Sequence, residues 1–275
     1  MENRAAPLTT SRLPRSVGAS VFGADIAGYQ AARIGYPAEL YATLRERCGA
    51  NLGAVLEIGP GTGLATAELL ARLDPDALVA VEADRELAAH LTASIPDPRL
   101  TVIQLGFEQA ELAGPFDLAC CAAAFHWLDP EPALAKLLRI LRPGGTLALW
   151  WNTYRQAGIG DAFADAVTPL IAALPLPPSE GERGHYSLDV AHHRRALTGA
   201  GFAEFEHLLF RRERVLTTKQ VHALYASYSY IRALPRAERA EILGAIVDLA
   251  EHRFSGSVPN ITLTALYLAD APPGC

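Results

Sequence analysis

The sequence predicts an α/β fold whose sheet is mostly parallel and carries helices on both faces. Short apolar runs, typical of buried strands, alternate with longer segments in which apolar residues recur at helical spacing. Glycine and proline residues mark the turns between these segments. Because repeated strand–helix units join parallel strands through right-handed crossovers, a wound sheet is the expected architecture.

Composition excludes several classes of protein. Of the 275 residues 50% are hydrophobic, so the chain can bury a sizeable core. A formal net charge of −6 argues against a nucleic-acid partner, since such proteins usually show a basic domain or stripe. No apolar run approaches the ~20 residues that span a bilayer, and residues 1–20 lack the apolar segment of a secretory signal. We therefore expect a cytoplasmic protein in which residues 1–20 form a flexible arm.

Cysteine and histidine residues do not predict a metal centre. The cysteines fit neither a disulfide framework nor zinc-ligand spacing, which is typical of thiols in a reducing compartment. His185, His192 and His193 lack an accompanying acid cluster, so we expect them at the surface. No metal is expected.

A glycine-rich turn between a predicted strand and a predicted helix is the strongest local signal. The apolar run Ala54–Ile58 is followed by Gly59, Gly61 and Gly63, and helical spacing begins at Leu64. Glycine admits positive φ angles and removes the Cβ atoms that would hold a ligand away. The backbone of such a turn can therefore approach a nucleotide-like ligand at a helix N-terminus.

The spacing of these glycines separates two kinds of nucleotide site. The dinucleotide fingerprint would need a third glycine at Thr66 or at Leu64, depending on the register, and is therefore broken. No Lys or Arg lies between Gly53 and Ala71, so a phosphate-cradling loop is also missing. We expect the ligand at this turn to carry no pyrophosphate.

Four motifs together resemble one family. They are the glycine turn preceded by Glu57, a strand at residues 78–82 that ends in Glu82, a strand at 116–121, and the segment 141–149. With residues 124–129 and with Tyr29, Arg33, Tyr36 and Pro37, they resemble the class I S-adenosylmethionine-dependent methyltransferases. The similarity is greatest to the small-molecule branch, which includes the type 11 and trans-aconitate methyltransferase-like enzymes. It is strong over residues 20–152 and weaker from there to the C-terminus.

The resemblance implies a Rossmann-like methyltransferase sandwich, with a mostly parallel seven-stranded sheet, helices on both faces and helical lid insertions. It implies a single methyltransferase domain over residues 21–275. Within that domain, residues 21–152 would form the cofactor-binding core under an N-terminal helical cover. Residues 153–190 and 217–257 would be inserted as a lid or substrate roof.

S-adenosyl-L-methionine is the cofactor that the resemblance implies. Glu82 follows the glycine turn by nearly the same distance in sequence, ~20 residues, as is expected for an acid that accepts hydrogen bonds from ribose hydroxyls. Phe107 would contact the adenine or would simply pack in the core, and the Asp that related enzymes place at Gly106 is missing. The expected cofactor contacts are Tyr29, Arg33, Glu57, Gly59, Gly61, Gly63, Glu82, Ala83, Phe107, Glu108, Ala122 and Ala123.

The acceptor site is expected just beyond the fourth strand. His126 and Trp127 follow that strand, and His126 is the candidate general base for an acceptor that must lose a proton. Tyr154, Tyr225 and Tyr228 are expected to line an acceptor pocket, with ordinary packing as the alternative.

The predicted elements also fix the directions in which several tyrosine and arginine side chains should point. Tyr225 and Tyr228 would share one face of a helix over residues 219–232, whereas Tyr230 would point elsewhere. Arg212 and Arg214 share one face of a strand and are expected to reach solvent, with capture of a substrate carboxylate as the alternative.

We therefore predict an S-adenosylmethionine-dependent methyltransferase that acts on a small organic molecule at a carboxylate or hydroxyl oxygen by in-line displacement. One alternative is a protein that binds S-adenosylmethionine or S-adenosylhomocysteine without transfer activity. Another is a nicotinamide-dependent oxidoreductase, which the broken third glycine disfavours. No nucleic-acid or membrane partner is expected.

Overall fold

The computed structural model describes residues 33–154, 159–174, 180–181 and 184–274. The strands of its main sheet are β1 (Ala54–Ile58), β2 (Ala77–Glu82), β3 (Leu100–Gln104), β4 (Phe116–Ala122), β5 (Leu141–Thr153), β6 (Ala203–Thr217) and β7 (Ser257–Asp270). The α-helices are α1 (Ala38–Cys48), α2 (Leu64–Arg72), α3 (Arg85–Ser94), α4 (Pro130–Ile140), α5 (Ala162–Ile171), α6 (Val190–Gly199), α7 (Thr218–Ala226), α8 (Ser229–Arg232) and α9 (Arg236–Phe254).

The main sheet has seven strands in the order β3-β2-β1-β4-β5-β7-β6. Neighbours from β3 to β5 run parallel, and β7 pairs antiparallel with both β5 and β6. The predicted seven-stranded, mostly parallel sheet is therefore confirmed. Because β2 and β4 flank β1 on opposite sides, the order of winding reverses there, and a crevice opens at the carboxyl ends of these strands.

Two apolar clusters cover the opposite faces of the sheet. Alternate residues of β4 belong to different clusters: Ala119 and Cys121 pack with α4, whereas Leu118 and Cys120 pack with α1 and α2. This alternation is the one expected of a strand buried on both faces, since successive side chains point to opposite sides. The continuous apolar runs in the sequence reflect this double burial.

A third apolar cluster joins the two segments inserted after β5 and after β6. Helix α5 packs against α9, and α9 packs against α7, around the buried residues Val167, Ile231 and Ile246. We call α5, α7, α8 and α9 the helical insert layer. Since α5 follows the carboxyl end of β5 and α7 follows that of β6, this layer lies at the same sheet edge as the glycine turn.

The single helix predicted over residues 219–232 is wrong. Helix α7 ends at Ala226, where the Ser227 hydroxyl donates to the Leu224 carbonyl, and Tyr228 is extended with φ −72° and ψ 134°. The ring of Tyr228 therefore stacks on that of Tyr230, with centroids 5.5 Å apart and planes 11° apart. The expectation that Tyr230 points elsewhere is also wrong.

The strands near the C-terminus are longer than their apolar runs suggest. Strand β5 has 13 residues and β7 has 14, because β7 is hydrogen-bonded along both sides.

Among the helices that the structure describes, none combines the length and the apolar character needed to cross a membrane.

Candidate active site

A cleft lies at the carboxyl ends of β1, β2 and β4, where the order of strands reverses. Its walls enclose about 1030 Å³, a figure that includes space open to solvent. The predicted residues that the structure brings together here are Gly59, Gly61, Glu82, Ala83, Phe107, Ala122, Ala123 and Trp127.

Each position of the turn favours glycine for a different structural reason. All three have positive φ angles, of 64° at Gly59, 58° at Gly61 and 83° at Gly63. A Cβ at Gly59 would lie 2.5 Å from the Ala124 Cβ, and one at Gly63 would lie 2.8 Å from the Leu91 and Ile95 side chains. A Cβ at Gly61 would meet no atom of the described residues within 4 Å, because Gly61 forms the wall of the cleft. Only Gly61 therefore keeps space clear for a ligand.

Glu82 braces this turn from the end of β2. Its Oε2 accepts a hydrogen bond from the Gly61 amide at 3.0 Å, and its Oε1 accepts one from the Asp84 amide at 2.9 Å. Burial raises the pKa of Glu82, and the two backbone donors oppose that rise. Since each carboxylate oxygen can accept more than one hydrogen bond, Glu82 can hold the turn and still receive donors from a ligand.

Thr62 is a cleft residue that the sequence analysis missed. It lies between the second and third glycines, is 4% exposed and lines the cleft. Its Oγ1 is buried and has no hydrogen-bond partner in the described part of the chain. A buried polar atom without a partner is costly, so a polar group of a ligand would satisfy it. The signal that could have found it is a hydroxyl residue inside the glycine turn.

Glu57 lies beneath the turn and does not line the cleft. It is fully buried, and its Oε2 accepts a hydrogen bond from the Thr66 hydroxyl at 2.7 Å. Its Oε1 has no partner among the described residues. Burial raises the pKa of Glu57 to about 7, and the hydrogen bond from Thr66 partly offsets this rise. The structure thus places this carboxyl in the support of the turn, away from the ligand-facing wall.

The raised pKa of Glu57 predicts how stability depends on pH. Because Glu57 binds its proton more tightly in the folded protein than in the unfolded chain, its contribution is complete below about pH 4.5 and is lost as pH rises through 7. We expect Glu57→Gln to raise the free energy of unfolding by up to roughly 3 kcal/mol at pH 8 and by less than ~1 kcal/mol at pH 5. Urea unfolding at both pH values measures this difference. Glu241→Gln, an exposed control on α9, should show no such dependence, and an equal effect of Glu57→Gln at both pH values would contradict the assignment.

A loop after β3 supplies the far wall of the cleft through Phe107. The Lys136 ammonium of α4 donates to the Phe107 carbonyl at 2.5 Å and to the Ala110 carbonyl at 2.6 Å, and it lies 4.6 Å from the centre of the Phe107 ring. This cation therefore fixes the loop that presents the ring, a role that the sequence analysis missed. Glu108, which was predicted to contact the cofactor, is exposed and does not line the cleft.

Other predicted site residues belong to the helical insert layer or its surroundings. The Arg33 guanidinium lies 5.1 Å from the ring centres of Tyr154 and Tyr228, and its Nη2 donates to the Ser227 carbonyl. Tyr225 is buried against the Phe163 ring, with centroids 6.0 Å apart. None of these residues forms part of the described cleft wall. Tyr29 lies outside the described residues.

His126 is held in one tautomer. It lies in a single 3₁₀ turn, Phe125–Trp127, and its Nδ1 accepts a hydrogen bond from the Trp151 indole N–H at 3.1 Å. In the neutral ring the proton therefore resides on Nε2, and Nδ1 is occupied by a donor. A general base must offer a free lone pair, so this arrangement disfavours that role and makes His126 a hydrogen-bond donor. His126 itself is not part of the cleft wall, although its neighbours Ala124 and Trp127 are.

The expectation of surface histidines fails for His193. This side chain is 2% exposed and packs with Trp151, Tyr186 and Tyr267, and its Nε2 donates to the Tyr186 carbonyl at 3.0 Å. Burial lowers the pKa of His193 to about 4, so the ring stays neutral. In the part of the chain that the structure describes, no group of three or more His, Cys, Asp or Glu residues could hold a metal ion.

Comparison with known proteins agrees with this geometry. The model of the methyltransferase domain family matches residues 56–149. An uncharacterised methyltransferase-like protein of Schizosaccharomyces pombe is 26% identical over 243 residues, which cover 87% of this chain and 89% of that protein. Trans-aconitate 2-methyltransferase of Azoarcus sp. is 35% identical over 105 residues, which cover 36% of this chain and 39% of that protein.

A solved structure shares the fold over most of both chains. It is described as a type II methyltransferase from Anaeromyxobacter dehalogenans, and the two superpose with a TM-score of 0.63 at 22% identity. The match covers 88% of this chain and 99% of that one. The sheet order, the glycine turn and the family match over residues 56–149 together identify a class I S-adenosylmethionine-dependent methyltransferase domain in this chain.

Proposed function

We propose that this enzyme methylates a small organic acid at a carboxylate oxygen. The observation that carries the proposal is the tautomer of His126, whose Nδ1 receives the Trp151 indole proton. A hydroxyl or amine acceptor must lose a proton during transfer and needs a base, whereas a carboxylate oxygen is already a nucleophile. The partial match to a protein named trans-aconitate 2-methyltransferase agrees with an acidic acceptor.

The cleft fits S-adenosylmethionine on two independent features. Gly61 leaves open the space that a Cβ would fill, and the Thr62 hydroxyl is buried without a partner. We infer that Gly61 and Thr62 face the ligand, that Glu82 accepts the ribose hydroxyls, and that Phe107 packs against the adenine. Ala122, Ala123 and Ala124 leave room at the end of β4 for the methionine part.

S-adenosylmethionine supplies an electrophilic methyl group on a sulfonium sulfur. The residues of this chain then have to hold the acceptor oxygen in line with that methyl group and keep water away. Positioning of this kind can lower the activation barrier by on the order of 7 to 11 kcal/mol. Trp127 lines the cleft beside Ala124, so it can form the boundary between the cofactor and the acceptor.

Transfer of labelled methyl groups to a mixed panel of acceptors tests the proposal. The panel should contain carboxylic acids, their amides, phenols and amines, and the products should be treated with base, which cleaves methyl esters. We expect base-labile label on acids alone. Label on phenols or amines alone would contradict the oxygen assignment, and bound cofactor without any transfer would favour a binding protein.

Substitutions of His126 separate a donor from a base. We propose that the His126 Nε2–H donates to the acceptor, and we then expect His126→Ala to lower turnover by roughly tenfold through loss of this bond. The affinity for S-adenosylhomocysteine should stay within about twofold. His126→Gln keeps an N–H donor and should retain most of the turnover. Exposed His222 on α7 provides the control His222→Ala. A loss of ~100-fold or more in both His126 variants would indicate a general base, and an unchanged rate in both would dismiss an acceptor-side role.

A further inference from the structure

Strand β6 carries arginines on both of its sides, and the two sides differ. Successive side chains of a strand point in opposite directions, so Arg212 and Arg214 share a side that Arg211 does not. On the outer side, the Arg211 Nη2 pairs with the Glu213 Oε1 at 2.7 Å. Arg212 and Arg214 are half-buried, so the expectation that they reach solvent is wrong.

Among the described residues, the hydrogen-bond acceptors that Arg212 and Arg214 contact are all neutral. The Arg212 Nη2 donates to the Gly35 carbonyl at 2.7 Å and lies 3.5 Å from the Asn152 Oδ1. The Arg214 Nε donates to the Asn260 Oδ1 at 3.0 Å. The Arg212 Nε is buried without any partner in the described part of the chain. Two like charges are thus partly withdrawn from water, and no carboxylate of the described residues pairs with or hydrogen-bonds to either, although the charge of Glu39 raises the pKa of Arg212.

Burial has an electrostatic consequence for this pair. Loss of hydration lowers the pKa of both guanidinium groups, and the charge of Arg212 lowers the pKa of Arg214 further. Partial burial of unpaired charges is unfavourable for folding, so residues of this kind are candidates for binding a charge of opposite sign.

The surroundings of the pair are aromatic and basic. Tyr154 lies close enough to influence both guanidinium groups, and its hydroxyl is 3.4 Å from the Asn152 Nδ2. Arg33 lies between the rings of Tyr154 and Tyr228. Arginine and tyrosine together offer forked N–H donors and a phenol donor, the groups that recognise planar oxyanions.

This basic cluster adjoins the cleft. The carbonyl of Gly35 receives Arg212, and the next residue, Tyr36, lines the cleft wall. Arg212 and Arg214 lie on β6 at the carboxyl edge of the sheet, three strand spacings from β4 in the order β4-β5-β7-β6. At about 4.8 Å for each spacing, the two strands lie roughly 14 Å apart in the sheet.

We propose that Arg212 and Arg214 bind an oxyanion of the acceptor. This oxyanion is a carboxylate or phosphate group other than the group whose oxygen is methylated. The inference rests on the proposed function and specifies it: the acceptor carries at least two acidic groups separated by several bonds. The second acidic group of the acceptor would accept a hydrogen bond from the Arg212 Nε–H, which has no partner among the described residues, and further hydrogen bonds from Arg214. Arginine offers oxyanions this forked arrangement of donors.

Anion-dependent stabilisation of the full chain tests this inference. Protein saturated with S-adenosylhomocysteine is titrated with glutarate, with inorganic phosphate and with neutral glutaramide, and Tm is recorded. We expect a saturable rise in Tm with glutarate or phosphate and none with glutaramide, and the more effective anion identifies the source of the oxyanion. Arg212→Gln combined with Arg214→Gln should abolish the rise, whereas Arg211→Gln should preserve it.

Two results would overturn the inference. One is no saturable rise in the unsubstituted protein up to about 20 mM of either anion, a concentration that detects even a millimolar site. The other is an unchanged rise in the double variant. If the double variant does not fold, Arg214→Gln alone decides, with Arg214→Lys as the charge-preserving comparison. Calorimetric binding of S-adenosylhomocysteine is scored separately, so a protein that binds it but ignores both anions refutes the inference and leaves the proposed function standing.

Discussion

Gly61→Val is expected to lower the affinity for S-adenosylhomocysteine more than 100-fold. The Gly61 Cβ position is open in the part of the chain that the structure describes, so the valine side chain would fill the cleft instead of meeting those residues. Valine is also strained at a φ of 58°, which costs roughly 1–3 kcal/mol of stability. Isothermal titration calorimetry measures the affinity, and circular dichroism shows whether the fold is kept.

A second glycine separates the block of the cleft from backbone strain. Gly144 has a φ of 70°, and within the described residues the one atom less than 4 Å from its Cβ position is the Arg142 Nη1 at 3.8 Å. It lies at the start of β5, at the sheet edge opposite the cleft. Gly144→Val should lower Tm to a similar extent and leave the affinity unchanged. Equal affinities for the Gly61 and Gly144 variants would contradict the proposed approach of the ligand to the turn.

Glu82→Ala is expected to weaken binding of S-adenosylhomocysteine by roughly 1.5–3 kcal/mol, about 10- to 150-fold. Two causes contribute. The variant leaves the Gly61 and Asp84 amides without their acceptor, and it removes the carboxylate proposed to receive the ribose hydroxyls. Exposed Glu86, in the first turn of α3, gives the control Glu86→Ala, which should bind normally.

An analogue of S-adenosylhomocysteine without its ribose hydroxyls distinguishes the two causes. If Glu82 contacts the sugar, the loss caused by Glu82→Ala should be much smaller for the 2′,3′-dideoxy analogue than for the natural compound. An equal loss for both compounds would show that Glu82 acts only by supporting the turn.

The sequence allowed the parallel half of the fold to be predicted closely. Strand β1 begins and ends at the predicted residues, and β2 ends at the predicted Glu82, because both strands are buried on both faces and stand out as apolar runs between polar turns. The glycine turn could be predicted equally well, since positive φ angles at spaced positions are compatible with few residue types.

The orientation of individual side chains was harder to predict. Strand alternation places Glu57 on the same face as Val55, under α2, and this could have excluded it from the cleft wall. The tautomer of His126 depends on Trp151, a residue 25 positions away, and no local pattern reveals such a contact. The burial of Arg212 depends in the same way on the Gly35 carbonyl, 177 positions away.

The break between α7 and α8 has a local signal in the sequence. The stretch Ser227-Tyr228-Ser229-Tyr230 has low helix propensity, and serine hydroxyls compete with the backbone for hydrogen bonds. Apolar spacing on either side suggested one continuous helix, but the Ser227 hydroxyl satisfies the Leu224 carbonyl and ends the first. The resulting turn brings Tyr228 towards Arg33.

The measurement that tests the central claim most directly is calorimetric titration of the unsubstituted protein with S-adenosylhomocysteine and, separately, with NAD. The glycine turn, its open Gly61 and the brace from Glu82 predict one molecule of S-adenosylhomocysteine bound per chain and no detectable binding of NAD. Binding of NAD with no binding of S-adenosylhomocysteine would contradict the account.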